Sequence, residues 1–190
     1  MTEDATPLVA ETAGQEKKST ARLRAEKLMQ YLRKRREERG IMADLRCALV
    51  ESKRHRASPY LGHLGGIGDK PSERVIQTVA GLYATHPMES QDGNFGAMCR
   101  KLISEDEREK LTTSDGVGPI SRRFQHLLAA DGDEIFDRVV RFVLRAKAEE
   151  IPVNYLELYE SLYYWQWSDQ ARTRWAQSFW APVTDEEDDA

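Results

Sequence analysis

Residues 151–180 read IPVNYLELYESLYYWQWSDQARTRWAQSFW, and this stretch decides the fold class. Asn154 followed three residues later by Glu157 is a capping box, so a helix starts there. Tyr155, Leu158, Leu162 and Trp165 then recur at helical spacing. Ser168-Asp169 restarts the pattern, and Arg172, Trp175, Ala176, Phe179 and Trp180 line a second face. All four tryptophans of the chain lie between 165 and 180. A buried aromatic removes roughly 150–250 Å² from water. Two short helices with this much aromatic surface need other apolar helices to cover it.

Those helices are legible upstream. Ile120, Phe124, Leu127 and Leu128 form one stripe, and Gly132 breaks it. Asp133 can cap the next helix, whose apolar stripe is Ile135, Val139, Phe142, Val143 and Ala146. Residues 119–181 therefore predict four short helices, the number for a bundle. SDGVGP, 114–119, reads as the boundary before them. Residues 19–115 predict a looser helical domain. Ser19 or Thr20 can cap a helix running to about Arg39, with Ala21, Ala25, Leu28 and Leu32 as its stripe and Gly40 as its stop. Met42, Leu45 and Leu49 mark a short helix; HRASPYLGHLGGIGDKPSE reads as a loop. Val75, Ile76, Val79, Leu82, Tyr83 and His86 mark a helix ended by Pro87, and Phe95, Met98, Cys99 and Leu102 mark another. No segment alternates with period two. The expectation is an all-α protein of two small helical domains, the C-terminal one a four-helix bundle. An acidic, disordered tail (1–18) and an acidic tail (182–190) flank them.

The chain has 190 residues, 40% hydrophobic and 32% charged, enough for a core under a wet surface. No apolar run approaches membrane-spanning length, and the polar, acidic N-terminus is not a signal peptide. Cys47 and Cys99 are isolated, without CxxC spacing, and read as reduced thiols of a cytoplasmic protein.

The net charge of −4 hides strong patterning. Residues 17–56 carry 14 Lys/Arg against 5 Asp/Glu, while Asp185, Glu186, Glu187, Asp188 and Asp189 crowd the other end. A basic block in an acidic chain points to a polyanionic partner. Arg138, Arg141 and Arg145 share one stripe opposite a core face, with Arg122 and Arg123 on the preceding helix; Arg33 and Arg36 lie in a basic run. Arginine suits phosphate because its planar fork donates two hydrogen bonds at once. The same residues also fit a solvated face paired with Glu134 and Asp137.

Catalytic and metal motifs are missing from the sequence. GHLGGIGDK, 62–70, lacks the Lys-Ser/Thr ending and the preceding strand of a phosphate loop. The four histidines are scattered, and no nucleophile and base are juxtaposed. SEDERE, 104–109, reads as a solvated helix start. The residues imply a non-enzyme without cofactor or metal.

Three stretches carry a resemblance. GIMADLRCAL, 40–49, is similar to an early Gly-x-x-Ala-x-Leu-Arg signature. VIQTVAGLYATHP and GNFGAMCRKL resemble a central helix with a His-Pro stop and a small-residue turn. SRRFQHLLAAD, RVVRFVLRAKAEEIPVNYLELYESLYYW and RTRWAQSFW resemble a C-terminal helical region ending in Trp-Ala-x-x-Phe-Trp. Together, over about 39–180, the chain resembles the CasB family, the small subunit of the type I-E CRISPR effector complex Cascade. The resemblance implies two helical domains and a non-catalytic scaffold in antiviral defence. The implied partners are CRISPR RNA, the target and displaced DNA strands of the R-loop, the CasC backbone subunits and a second copy of the chain. In such complexes base pairing reads sequence, so backbone contacts suffice. By position, Arg46, Arg122, Arg123, Arg141 and Arg145 are the implied contacts. Cys47 stands where the family often has a second basic residue. Both acidic tails fall outside the resemblance. An alternative within the same residues is a helical protein–protein adaptor whose basic faces bind acidic protein surfaces.

Overall fold

The computed structural model describes the backbone of residues 6–113 and 117–180, with side chains from 20 to 110 and from 117 to 180. Residues 114–116 of the expected boundary, the first five residues and the tail at 182–190 lie outside the described residues. Among the described residues ten α-helices follow in order: α1 Thr6–Lys34, α2 Arg39–Arg46, α3 Ser58–Leu61, α4 Pro71–Thr85, α5 Phe95–Lys101, α6 Glu105–Thr113, α7 Pro119–Leu128, α8 Glu134–Ala148, α9 Tyr155–Tyr164 and α10 Gln170–Trp180. Among the described residues there is no strand, only one isolated bridge between Glu89 and Val153. The all-α expectation holds. No helix among the described residues is long and apolar enough to cross a membrane.

Three local expectations change. Helix α1 begins at Thr6 instead of the expected cap at Ser19 or Thr20, so part of the segment read as a disordered tail is helical. Residues 8–18 are mostly Ala, Glu, Gln and Lys, whose helix propensity is high. The same helix ends at Lys34, before the basic run does. Gly40 is not a stop; it lies in the first turn of α2. The stretch read as one loop, 55–73, contains α3, a 3-10 turn at 62–64, the end of another at 51–56 and the first residues of α4.

Packing joins the two halves of the chain. Helix α9 packs mainly on α1 and α4, α8 reaches α4, and α10 lies against α5. The buried residues form one continuous cluster from Ala25 to Phe179. The four C-terminal helices are present: α7 packs on α8, while α8, α9 and α10 have their main neighbours in the N-terminal half.

Helices α5 and α10 approach each other closely. A Cβ on Gly96 would overlap the backbone of Trp175, its carbonyl oxygen first. Glycine there lets two helix backbones touch. Around that contact Phe95 packs on Trp175 at 4.7 Å and Trp175 on Trp165 at 4.8 Å between centroids. Trp165 donates its indole N–H to the Ala130 carbonyl at 2.9 Å, so a fully buried tryptophan leaves no unpaired donor.

Glu157 departs from the expected capping box. Asn154 does accept the Glu157 N–H, at 3.1 Å. The Glu157 carboxylate, however, turns away from Asn154. It accepts from the Phe95 N–H at 3.1 Å, the Trp175 indole at 3.0 Å and the Ser161 hydroxyl at 2.5 Å. One carboxylate thus ties α5, α9 and α10. Burial pushes its pKa above the ordinary Glu value, opposed by these three hydrogen bonds and by Arg174.

Two outcomes test this packing. Gly96→Ala is expected to destabilise the fold by at least about 2 kcal/mol, because the obstacle is backbone and cannot rotate away. Gly40→Ala, where a Cβ meets nothing within 4 Å, is expected to be neutral or stabilising by up to about 1 kcal/mol. Urea titration of both variants measures the difference. For Glu157, a raised folded pKa means that the folded state holds the proton more tightly than the unfolded chain. Its contribution to stability therefore rises as pH falls through the folded pKa towards the ordinary carboxylate value. Glu157→Gln lacks this gain, so its penalty relative to the native chain should be larger at acidic than at neutral pH.

Candidate nucleic-acid interface

Helices α7 and α8 build the strongest cationic site. Helix α8 buries Ile135, Phe136, Val139, Phe142, Val143 and Ala146, which leaves Arg138, Arg141 and Arg145 on its outer side. Helix α7 buries Ile120, Phe124 and Leu127 and keeps Arg122 and Arg123 exposed. Its start is pinned by α6: the Glu107 carboxylate accepts the N–H of Ile120 at 3.3 Å and of Ser121 at 2.8 Å. A carboxylate at a helix N-terminus satisfies orphan donors and complements the dipole. Glu107 is buried, so this acid of SEDERE is not the solvated charge expected from the sequence.

Between the two helices lies an open recess of about 280 Å³, lined by Ile120, Arg123, Arg138, Arg141, Phe142 and Arg145. Its floor is apolar and its rim carries four guanidinium groups. Arg138 pairs with Glu134 along its own helix, while its Nε is buried without a hydrogen-bond partner. Arg123, Arg141 and Arg145 make no ion pair with any described residue. The sequence stripe at 138, 141 and 145 is thus brought together with Arg123. Arg122, one position away on the helix, is exposed but does not line the recess.

The remaining expected contacts lie on α1 and α2. Arg33 is committed: its fork holds Glu89, with Nη2 to Oε2 at 2.6 Å and Nε to Oε1 at 3.1 Å. That pairing raises the Arg33 pKa above its ordinary value, with burial opposing it. Arg46 spends its Nε on the Ala84 carbonyl at 2.8 Å, satisfying an acceptor in the last turn of α4, though the residue stays exposed. Arg36 is exposed and in no ion pair with a described residue.

Arg172 also proves structural. It bonds Asp131 at 2.7 Å, Asp169 at 2.9 Å and the Ala130 carbonyl at 3.2 Å, and stands 4.7 Å over the Trp165 ring. Sequence reasoning passed over one further surface. Trp167 is 64% exposed and meets Tyr163 edge-on at 5.8 Å, while Arg24 lies over the same Tyr163 ring. The spacing of Tyr159, Tyr163 and Trp167, each four apart, was the available signal. Among the described residues no three His, Cys, Asp or Glu side chains gather as a metal site. Cys47 and Cys99 are free thiols, and burial raises the Cys99 pKa well above the ordinary value.

Fold and recess define the class: an all-helical protein with a concave cationic surface between α7 and α8. The sequence matches, over residues 41–180, the family described as CRISPR-associated protein Cse2, and the chain belongs to that family. Solved structures agree on the fold. CasB from Thermus thermophilus superposes with a TM-score of 0.65 at 20% identity, covering 83% of this chain and 98% of that one. A second solved structure from Thermus thermophilus, described as a CRISPR-associated protein of the Cse2 family, gives 0.64 at 21%, with the same coverage. CasB from Thermobifida fusca gives 0.57 at 18%, over 86% of this chain and 97% of that one. A search of proteins of curated function finds no match.

Committed and uncommitted cations should separate in stability. Arg172→Ala is expected to cost about 1–3 kcal/mol, since it removes the cation over the buried Trp165 ring, the ties to Asp131 and Asp169 and one of the two donors to the Ala130 carbonyl. Arg141→Ala should stay within about 0.5 kcal/mol, as surface substitutions away from such features do. Thermal melts of the two variants beside the native chain make the comparison.

Proposed function

We propose that this chain is the small, non-catalytic subunit of a type I-E Cascade complex. In it the chain holds guide RNA and the target and displaced DNA strands through phosphate contacts. The observation that carries this reading is the recess, where Arg123, Arg141 and Arg145 converge without an ion-pair partner among the described residues. Three cations that no described carboxylate neutralises are available to an outside anion. Family membership supplies the setting, a CRISPR-associated assembly. CasC backbone subunits and a second copy of this chain are the proposed protein neighbours. Arg122 and Arg36, both exposed, extend the cationic surface; Arg33 and Arg46 contribute mainly by fixing α1 and α2.

A helical adaptor is the second reading, favoured by exposed Trp167 and Leu23, each 64% accessible. An apolar-centred protein interface is only weakly salt-dependent, whereas each phosphate contact on a single strand adds about 0.7 to the slope of log affinity against log salt.

The complex assembled with Arg123→Ala, Arg141→Ala and Arg145→Ala together is therefore expected to retain the displaced strand less well. Its salt slope should fall by about 2 if all three contacts are phosphate contacts. Strand footprinting and filter binding across a salt series read both. An unchanged footprint and slope would remove the recess from the interface.

A further inference from the structure

We propose that the acidic segment 185–189 of this chain docks on the arginine recess of α7 and α8 and covers it in competition with nucleic acid. The docking stands on the geometry below; the competition rests on the function proposed above.

The described residues leave the recess short of counter-charge. Of its four arginines only Arg138 meets a described carboxylate, Glu134, and the Arg138 Nε is buried without an acceptor. Like charges gathered on a low-dielectric floor of Ile120 and Phe142 raise the local potential and favour a polyanion. Carboxylates meet the guanidinium fork in the same bidentate way as phosphate.

The end of α10 lies beside that recess. Phe179 stacks on Phe124 at 3.9 Å, and Trp180 meets Phe124 edge-on at 6.4 Å. Phe124 in turn meets Phe142, on the recess floor, at 6.2 Å, and it follows Arg123 in the chain. Only two ring contacts separate the last turn of α10 from the recess. Asp185 is five residues beyond Trp180, and extended chain covers about 17 Å in that span. Five consecutive carboxylates, Asp185 to Asp189, follow without a basic residue among them. Tethering at this distance gives an effective concentration on the order of millimolar, so weak pairs suffice. The acids of the first sixteen residues are a poorer match. They are dispersed, and α1 packs chiefly on α9 and α4. A covered recess would keep the isolated chain off stray nucleic acid, and the continuous phosphate track of an assembled complex would displace the segment.

The test uses the full chain in two arms. In the first, a nitroxide is placed at Ala190→Cys in a Cys47→Ser background, where the remaining Cys99 is buried. The Nε–H signals of Arg123, Arg141 and Arg145 should broaden at low salt. They should recover at high salt and when residues 185–189 are changed to Asn and Gln. In the second, anisotropy of a fluorescent oligothymidylate compares native and neutralised segments. If the segment covers the recess nine-tenths of the time, neutralising it tightens binding about tenfold. Arg141→Glu with Arg145→Glu should abolish that gain, with circular dichroism confirming the fold. Unbroadened arginine signals would overturn the docking. So would a gain that survives the Arg→Glu changes, because bulk charge would then be its source. Broadening without any change in oligonucleotide affinity would sustain the docking and sink the nucleic-acid reading of the recess instead.

Discussion

A single carboxylate stands at the centre of this structure. Glu157 accepts from Phe95 on α5, from Ser161 on its own helix and from Trp175 on α10, and it does so beside the point where α5 and α10 touch backbone to backbone at Gly96. Desolvating a carboxylate is unfavourable, and three donors offset much of that cost. The arrangement works only if all three helices are in register. The aromatic core follows from it: Trp165, Trp175, Phe95 and Phe142 contact in sequence, and Phe142 forms the recess floor. The cationic site is therefore positioned by a polar contact on the far side of its own floor.

The basic residues divide by what they touch. Arg33, Arg46 and Arg172 are tethers: each spends its donors on a carboxylate or on a carbonyl that secondary structure leaves unpaired. Arg123, Arg141 and Arg145 have no such partner among the described residues, and their shared recess is concave with an apolar floor. Helix α8 makes this possible because its wide apolar stripe, from Ile135 to Ala146, seats it firmly enough to hold Arg141 and Arg145 outward without internal neutralisation. Charge that a fold does not need for itself is the physical basis for assigning it to a partner. The scaffold role proposed above would need no more chemistry than that, since sequence discrimination in an RNA-guided complex belongs to base pairing.

The sequence by itself determined the all-α class and most helix positions. Apolar residues at a period of 3.6 mark α4, α5 and α7 to α10 directly, most plainly α7, α8 and α10, which bury one face and wet the other, whereas α4 is buried all round from Val75 to Ala84. It also placed Arg138, Arg141 and Arg145 on one stripe, since helix geometry alone puts those spacings together. Contacts distant in sequence were another matter. That Arg123 joins the stripe, that Arg33 finds Glu89 56 residues away and that Arg172 finds Asp131 depend on how helices cross. The same holds for Glu157, whose local pattern promised a cap but whose carboxylate was drawn inward by donors on α5 and α10. Periodicity reports which face of a helix is buried. Only the tertiary structure decides which other face it meets, and so which charges are consumed inside the protein and which are left for something else.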